Sequence, residues 1–465
     1  MVSKIQTKEK NHKMKKVIFL RPFLVIYFSL LLIYLLWMLA VWPGILGPDS
    51  LAILLEVDTN REFQSGKPPF WFLHTYVFYN YAKLVEVPIL VQIFLCVFVL
   101  SRILAWMYSN GLKKYFIFSL FFVACGPGLV YYVSSLYSDG IYAVCLSGLL
   151  FEIWRCCRNR RIDFISGLMI FLCVPYAVFS RPNGILNLVI IFALFFILKG
   201  LERRKAVFLV GPWIFVGIAV NVMLPVRNSI GTIFPMVLYE TVGFLEKRPM
   251  GLWERNEPRV TDKTVQALTS SGKTLEHISD YYDHYYWDPL IFFSDGPNLL
   301  SLPGESKKII VKEFFKYNLW HNFPAFAASK INIFFYSGLA MGGIAGPTNA
   351  DNILPQTESV SRIRPFEFFT NSYIIKYFSF SERYHGLIWA PWIGCLTIIF
   401  AFVLGIRRQA KLEILVVGVY VIQFFAVFVF SIAGEYRYLL SFFTAPLVTL
   451  PIIAYLRGQV RRQPL

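Results

Sequence analysis

The apolar positions of this chain are gathered into long runs that polar residues rarely interrupt. A helix needs roughly 17–25 apolar residues to cross a bilayer. Ten runs come close to this length, and they predict crossings at residues 22–42, 87–107, 115–134, 137–154, 164–180, 184–200, 207–226, 386–406, 413–433 and 437–456. The pattern therefore predicts an all-α polytopic membrane protein with about 10 transmembrane helices.

The composition agrees with this prediction. Of the 465 residues, 56% are hydrophobic and 16% are charged, whereas soluble domains carry about 25% charged residues. The net charge of +17 could indicate a nucleic-acid partner. Its placement argues against one, because the basic residues cluster before the first run, after the last run and in 108–114, 155–163, 199–206 and 407–412.

Clusters of lysine and arginine in alternate connections follow the positive-inside rule, which sets the orientation of a membrane protein. We therefore expect a multi-pass plasma (inner) membrane protein with both termini in the cytoplasm. The remaining connections, which include all the candidate site residues below, are expected to be extracytoplasmic.

The long segment before the last three runs divides the chain into predicted regions. These are a transmembrane module of seven crossings (1–226), an extracytoplasmic segment of mixed structure (227–385) and a C-terminal transmembrane module (386–465). Residues 331–346 are apolar, but one more crossing there would place the basic cluster 407–412 outside the cytoplasm. Whether this run re-enters the membrane, lies on it or pairs with 366–380 stays open. Trp71 to Leu84 reads as an aromatic membrane-surface helix.

Two acids occupy short turns at the predicted outer surface. Asp49 follows two prolines and two glycines in the sequence Pro43–Ser50, and Asp139 lies in the tight turn between the third and fourth crossings. A carboxylate in such a place can accept a proton from an attacking hydroxyl, which is general base catalysis. Alternatively each acid caps the helix that follows it, since Asp is a common N-cap residue.

Cations follow in other turns on the same side. Arg181 lies in the compact turn Ser180–Gly184 with Asn183, and Arg437 lies between Glu435 and Tyr438 before the last crossing. A guanidinium group is suited to phosphate oxygens. Arg181 could instead only neutralise one of the acids, and the tyrosines could be ordinary interface residues. Lys67 could meet an anion or anchor the chain at the interface.

Residues 279–288 mix acids with aromatic side chains, which suits sugar binding, although a packed loop explains the same composition. Together with His284, these acids could bind a divalent metal, but their spacing matches no recognised set of metal ligands. The seven cysteines give no disulfide framework or zinc spacing. No cofactor is therefore required.

Taken in order, these turns resemble those of the GT-C glycosyltransferases, multi-span enzymes that use a polyprenyl-phosphate sugar as donor. Pro43–Ser50 looks like their acid-bearing first loop, with one acid where they have two, and Lys67-Pro68-Pro69 stands where a histidine-containing turn would be. Tyr137-Ser138-Asp139 looks like their second acid position. Ser180–Gly184 and Glu435–Tyr438 are similar to their arginine-containing turns.

The resemblance implies a GT-C-like fold and a transferase of the cell envelope that moves a sugar to an extracytoplasmic glycan, lipid or protein. Asp49 and Asp139 would be catalytic, and the candidate substrate-binding residues are Lys67, Arg181, Asn183, Glu435, Arg437 and Tyr438. Two other functions remain open. One is a transporter or flippase of lipid-linked or anionic solutes, and the other is a polysaccharide polymerase or ligase.

Overall fold

The structure is a computed structural model that describes residues 2–224, 233–245, 260–342, 348–370 and 372–459, without the side chains of 2–20, 367 and 370. Within these ranges it contains helices, turns and isolated bridges but no β-strand. The predicted parts 227–232, 246–259 and 343–347 of the long segment and the C-terminal Arg461 and Arg462 lie outside the described residues.

The helices up to residue 224 are α1 (Val2–Ala40), α2 (Pro48–Asp58), α3 (Pro69–Tyr79), α4 (Glu86–Ser109), α5 (Lys113–Cys125), α6 (Pro127–Val133), α7 (Ser138–Asn159), α8 (Phe164–Phe179), α9 (Leu188–Ile197) and α10 (Gly200–Met223). The next are α11 (Ile233–Gly243), α12 (Asp262–Thr269), α13 (Leu275–Asp280), α14 (Gly304–Glu313), α15 (Leu319–His321) and α16 (Phe323–Gly338). The last are α17 (Ala350–Ile353), α18 (Glu367–Thr370), α19 (Tyr373–Arg383), α20 (His385–Ile388), α21 (Trp392–Arg407), α22 (Lys411–Phe430), α23 (Leu440–Thr444) and α24 (Pro446–Leu456).

Seven helical stretches of the described chain are long and apolar enough to cross a membrane. They are Arg21–Ala40, Glu86–Ser109, Ser138–Asn159, Gly200–Met223, His385–Arg407, Lys411–Phe430 and Tyr436–Leu456. The pair α5 and α6 would add an eighth, bent by 57° at Gly126 and Pro127. The other two predicted crossings are the shorter apolar helices Phe164–Phe179 and Pro182–Ile197. The chain is thus an all-α protein with the helices of a multi-pass membrane protein.

The chain forms two compact units. The first contains Met1–Pro225, Ala345–Gln423 and Leu439–Leu465, and the second contains Val226–Ile344 and Phe424–Tyr438. This division differs from the predicted regions, since residues 345–385 belong to the first unit and 424–438 to the second. The α22 helix supplies residues to both units because the boundary falls between Gln423 and Phe424.

Within the first unit, α7 is buried along nearly its whole length. At one end it begins beside Asp139, and at the other its Glu152 accepts hydrogen bonds from Arg102 (2.8 Å), Arg155 (2.9 Å) and Ser166 (2.7 Å). A buried carboxylate is stable only with such partners. These contacts fix α7 against α4 and α8, so the start of α7 has a defined position.

The second unit has its own apolar core, which includes Tyr239, Leu268, Ile310 and Phe314. The predicted apolar run 331–346 begins within α16 of this unit, and its residues 343–346 lie outside the described chain. In the first unit, the predicted aromatic segment Trp71 to Leu84 overlaps the helix α3, which begins and ends earlier than expected.

Candidate functional site

The two acids have equivalent positions, each as the second residue of a helix. The residue before α2 is Gly47, whose backbone N–H donates to Ser50 Oγ at 3.2 Å, and the residue before α7 is Tyr137. Neither Asp49 nor Asp139 is therefore the N-cap residue that the sequence allowed. Both carboxylates stand at the positive end of a helix dipole, where a negative charge is favoured.

The loop before Asp49 is hydrogen-bonded directly to the loop before Asp139. Ile45 N–H donates to the Ser134 carbonyl (3.0 Å), and Leu136 N–H donates to the Ile45 carbonyl (3.1 Å). Ser50 Oγ also donates to the Leu136 carbonyl (3.2 Å). A Cβ at Gly47 would collide with the hydroxyl of Tyr137, so a larger residue would require the tyrosine side chain to move. The structure thus joins two loops that lie about ninety residues apart.

Each acid is paired with one of the predicted cations. Lys67 Nζ lies 2.6 Å from Asp49 Oδ2, and the Arg181 guanidinium pairs with Asp139. The side chain of Asp49 is 27% exposed, whereas that of Asp139 is 4% exposed. Arg181 therefore neutralises Asp139, which is one of the roles that the sequence left open for it. The more accessible carboxylate is that of Asp49.

Contacts between α3 and α8 connect the segment after Lys67 to the segment before Arg181. His74 Nδ1 and the Tyr176 hydroxyl share a hydrogen bond of 3.1 Å, and the ring of Phe70 meets that of Tyr176 edge-on at 5.6 Å. His74 also stacks on Trp71 at 4.7 Å. Burial lowers the pKa of His74 to about 4, so this imidazole is neutral at physiological pH.

Asn183 belongs to a network of buried amides. Its Nδ2 donates to Gln423 Oε1 (2.7 Å), and Gln423 Nε2 donates back to the Asn183 carbonyl (3.0 Å) and to Asn187 Oδ1 (2.8 Å). Asn187 Nδ2 in turn donates to the Ala177 carbonyl (2.7 Å). These bonds hold the turn that carries Arg181 against α8 and α22.

Sequence reasoning missed several of these supporting residues. Asn187 and Gln423 were counted only as part of apolar runs. Gln92 on α4 was missed in the same way, and its Nε2 donates to the carbonyls of Tyr132, Val133 and Ser135 (2.8–3.1 Å), at the end of α6 and just after it. The sequence did contain a signal for them. An amide side chain inside an apolar run is energetically costly unless it is hydrogen-bonded, so each such residue indicates a buried polar contact.

Glu435, Arg437 and Tyr438 lie in the second unit. Arg437 pairs with the carboxylate of Glu435, and its guanidinium lies 5.6 Å from the centre of the Tyr438 ring. Backbone hydrogen bonds tie this turn to other parts of the same unit, from Tyr436 N to the Gly342 carbonyl (3.2 Å) and from Gly434 N to the Tyr285 carbonyl (2.7 Å).

The aromatic and acidic segment 279–288 is largely bonded within the second unit. Asp283 Oδ1 accepts from the backbone N–H groups of Tyr285 (2.7 Å) and Tyr286 (2.9 Å). The ring of Tyr285 stacks on that of Tyr336 at 4.0 Å. Among the described residues, no group of three His, Cys, Asp or Glu side chains could hold a metal ion. The contacts of Asp283 are those of a packed loop.

No family model matches this sequence, and no curated protein or solved structure is significantly similar to it.

Proposed function

We propose that this protein is a membrane glycosyltransferase of the GT-C type, which moves a sugar from a polyprenyl-phosphate donor to an extracytoplasmic glycan, lipid or protein. The observation that carries the proposal is the pair of acid–cation contacts, Asp49 with Lys67 and Asp139 with Arg181, on loops that are hydrogen-bonded to each other. Four residues chosen from separate turns by their chemistry meet in two ion pairs.

In the proposed reaction, Asp49 accepts the proton of the acceptor hydroxyl. It is the more exposed of the two acids, and a carboxylate at such a surface can act as a general base. The C–O bond between sugar and donor phosphate breaks as the acceptor oxygen attacks the sugar carbon. The polyprenyl phosphate leaves with the electron pair of that bond.

Lys67 and Arg181 would stabilise the leaving phosphate, since an ammonium and a guanidinium group both bind phosphate oxygens. Asp139 would hold Arg181 in place and position a substrate sugar. On the family resemblance alone, Arg437 would also bind the donor, with Glu435 orienting its guanidinium. Asn183 and Tyr438 would contribute hydrogen bonds to the substrate.

The proposed architecture has ten crossings. Besides the seven long helices, it counts the bent pair of α5 and α6 as one crossing, and α8 and the stretch Pro182–Ile197 as two short ones. The polyprenyl donor is supported by a physical argument, because nucleotide sugars remain in the cytoplasm. An outward-facing transferase therefore needs a donor that is carried by lipid.

The central experiment compares two substitutions on α2. Asp49→Asn removes the proposed base, and Asp58→Asn is a matched control because Asp58 also pairs with a lysine, Lys83, at 2.8 Å. We expect Asp49→Asn to lower transfer in proteoliposomes by about 10²–10⁴, the usual contribution of a general base. Asp58→Asn should retain transfer. Wild-type turnover by Asp49→Asn would contradict the proposal.

The assay needs a donor and an acceptor. Mass spectrometry of surface glycans and lipids from cells with and without the gene would identify the product. A panel of polyprenyl-phosphate sugars then supplies the donor for proteoliposomes. The size of the product on a gel separates transfer of one sugar from the activity of a polymerase or ligase.

A transporter of lipid-linked or anionic solutes is the second candidate, and the bend of 57° between α5 and α6 favours it, since transporters often have broken helices near their substrate sites. Cysteines introduced at positions 139 and 181 distinguish the two functions. Labelling from each side of the membrane in turn would favour transport, and labelling from one side only would favour the transferase.

A further inference from the structure

The α16 helix of the second unit has an apolar face that the described part of the chain leaves uncovered. Ile331, Phe335 and Leu339 are spaced four residues apart and are 48%, 54% and 43% exposed. Pro324 and Ala328 extend the same face toward the start of the helix and are also exposed. Side chains at this spacing lie on one side of a helix. We call this face, from Pro324 to Leu339, the α16 stripe.

The end of α22 fixes the level of α16 relative to a bilayer. Lys330 Nζ donates to the carbonyl of Ser431 (2.8 Å), the residue that follows α22. After the end of α16, the carbonyl of Gly342 accepts from Tyr436 N (3.2 Å), where the next candidate crossing begins. The middle of α16 and the segment after its end therefore contact the short connection between two candidate crossings. If these crossings span a bilayer, that connection lies at its boundary, and the middle of α16 lies close to the boundary as well.

A row of phenylalanine rings joins the α16 stripe to the apolar surface of α22. The ring of Phe335 lies 6.0 Å from that of Phe334, which meets Phe424 of α22 at 5.1 Å. Phe424 lies 6.0 Å from Phe425, an exposed residue of a candidate crossing. Phe425 precedes the end of α22 by five residues, which places it about 7.5 Å from that end along the helix axis.

We propose that lipid covers the α16 stripe near the boundary of the bilayer that the candidate crossings span. The stripe is uncharged, and its Phe335 is linked through Phe334 and Phe424 to Phe425, an exposed residue of a candidate crossing. An apolar helix face beside such a surface is suited to burial in the acyl-chain boundary. The one lysine beside it, Lys330, turns to the opposite side and pairs with Glu240 at 2.8 Å. The second unit thus has a lipid contact in addition to its share of α22.

Spin labels on single cysteines in lipid nanodiscs test this proposal. The native Cys125 and Cys395 are replaced by serine, because the other five cysteines are buried. Phe335→Cys and Leu339→Cys carry the label on the stripe, and Phe425→Cys provides a reference within a crossing. Phe292→Cys is the matched control, since Phe292 is an exposed phenylalanine of the same unit outside the row of rings.

We expect the labels at 335 and 339 to collide with oxygen, which concentrates in lipid, more than with a water-soluble nickel chelate, as the label at 425 does. The label at 292 should show the opposite preference. If the labels on the stripe prefer the nickel chelate, the face is in water and the proposal is wrong. Low collision rates with both reagents, together with coupling between labels of two molecules, would show that a second copy covers the stripe.

Discussion

The ion pair of Lys330 and Glu240 offers a direct test of how the second unit is held together. The two side chains are 0% and 1% exposed and 2.8 Å apart. Ser329 Oγ also donates to Glu240 Oε1 (3.1 Å), and Lys330 Nζ donates to the carbonyl of Ser431. The pair therefore connects α11, α16 and the residue that follows α22.

Lys330→Met removes the ammonium group and leaves a buried carboxylate with less compensation. Breaking a buried pair in this way costs about 3–5 kcal/mol, a large part of the roughly 5–15 kcal/mol by which a domain is stable. Glu240→Gln should cost less, because the ammonium group keeps the Ser431 carbonyl and lies 5.4 Å from the centre of the Phe326 ring.

The double variant Lys330→Met/Glu240→Gln has no buried charge at this position. Replacing both partners of a buried pair is often close to neutral, so its stability should lie within about 1 kcal/mol of the wild type. Pulse proteolysis of the detergent-solubilised protein over a urea series measures the free energy of unfolding for all four proteins. If Lys330→Met unfolds at the wild-type urea concentration, or if the two single effects simply add, the pair is not coupled as argued.

Three further outcomes are expected. Folding lowers the pKa of His74 from 6.5 to about 4, so the unfolded chain binds more protons than the folded chain between these pH values. The free energy of unfolding should therefore fall by about 3 kcal/mol as the pH drops through this range. His74→Gln should remove this part of the pH dependence, as measured by thermal melts. Gly342→Ala should lower the melting temperature because its methyl group would meet the Tyr286 hydroxyl, whereas Gly304→Ala, in open space, should not. Gln423→Leu removes three hydrogen bonds to the turn after α8. It should lower the rate of transfer in proteoliposomes clearly, while the melting temperature changes little.

The apolar runs predict the helices well because hydrophobicity controls which residues can lie in a membrane. Each of the ten predicted crossings corresponds to helical structure, but only seven of the described helical stretches are long enough to be candidate crossings on their own. The run 115–134 breaks at Gly126 and Pro127, and 184–200 begins with the 3-10 turn Pro182–Asn187. Hydropathy measures the length of an apolar run, whereas bends and tight turns depend on local backbone geometry.

The candidate site was only partly predictable. The residue types and their turns indicated Asp49, Lys67, Asp139 and Arg181 as functional candidates, and the structure adds which acid pairs with which cation. That pairing depends on how α3 packs against α8 and on how two loops exchange backbone hydrogen bonds. Neither the helix packing nor these hydrogen bonds produce a recognisable pattern in the local sequence. The division of the chain into two units could not be predicted from the sequence either, because the boundary falls within the continuous helix α22.

The enclosure of α7 has a consequence for how a substrate could be handled. This helix is surrounded by protein from Asp139 to the arginines at its far end, so its first residues have no room to shift. Asp49, by contrast, begins a short helix at a partly open surface. If the protein is the transferase proposed above, a closing motion around its substrate is therefore expected on the Asp49 side, whereas Asp139 would stay fixed in position.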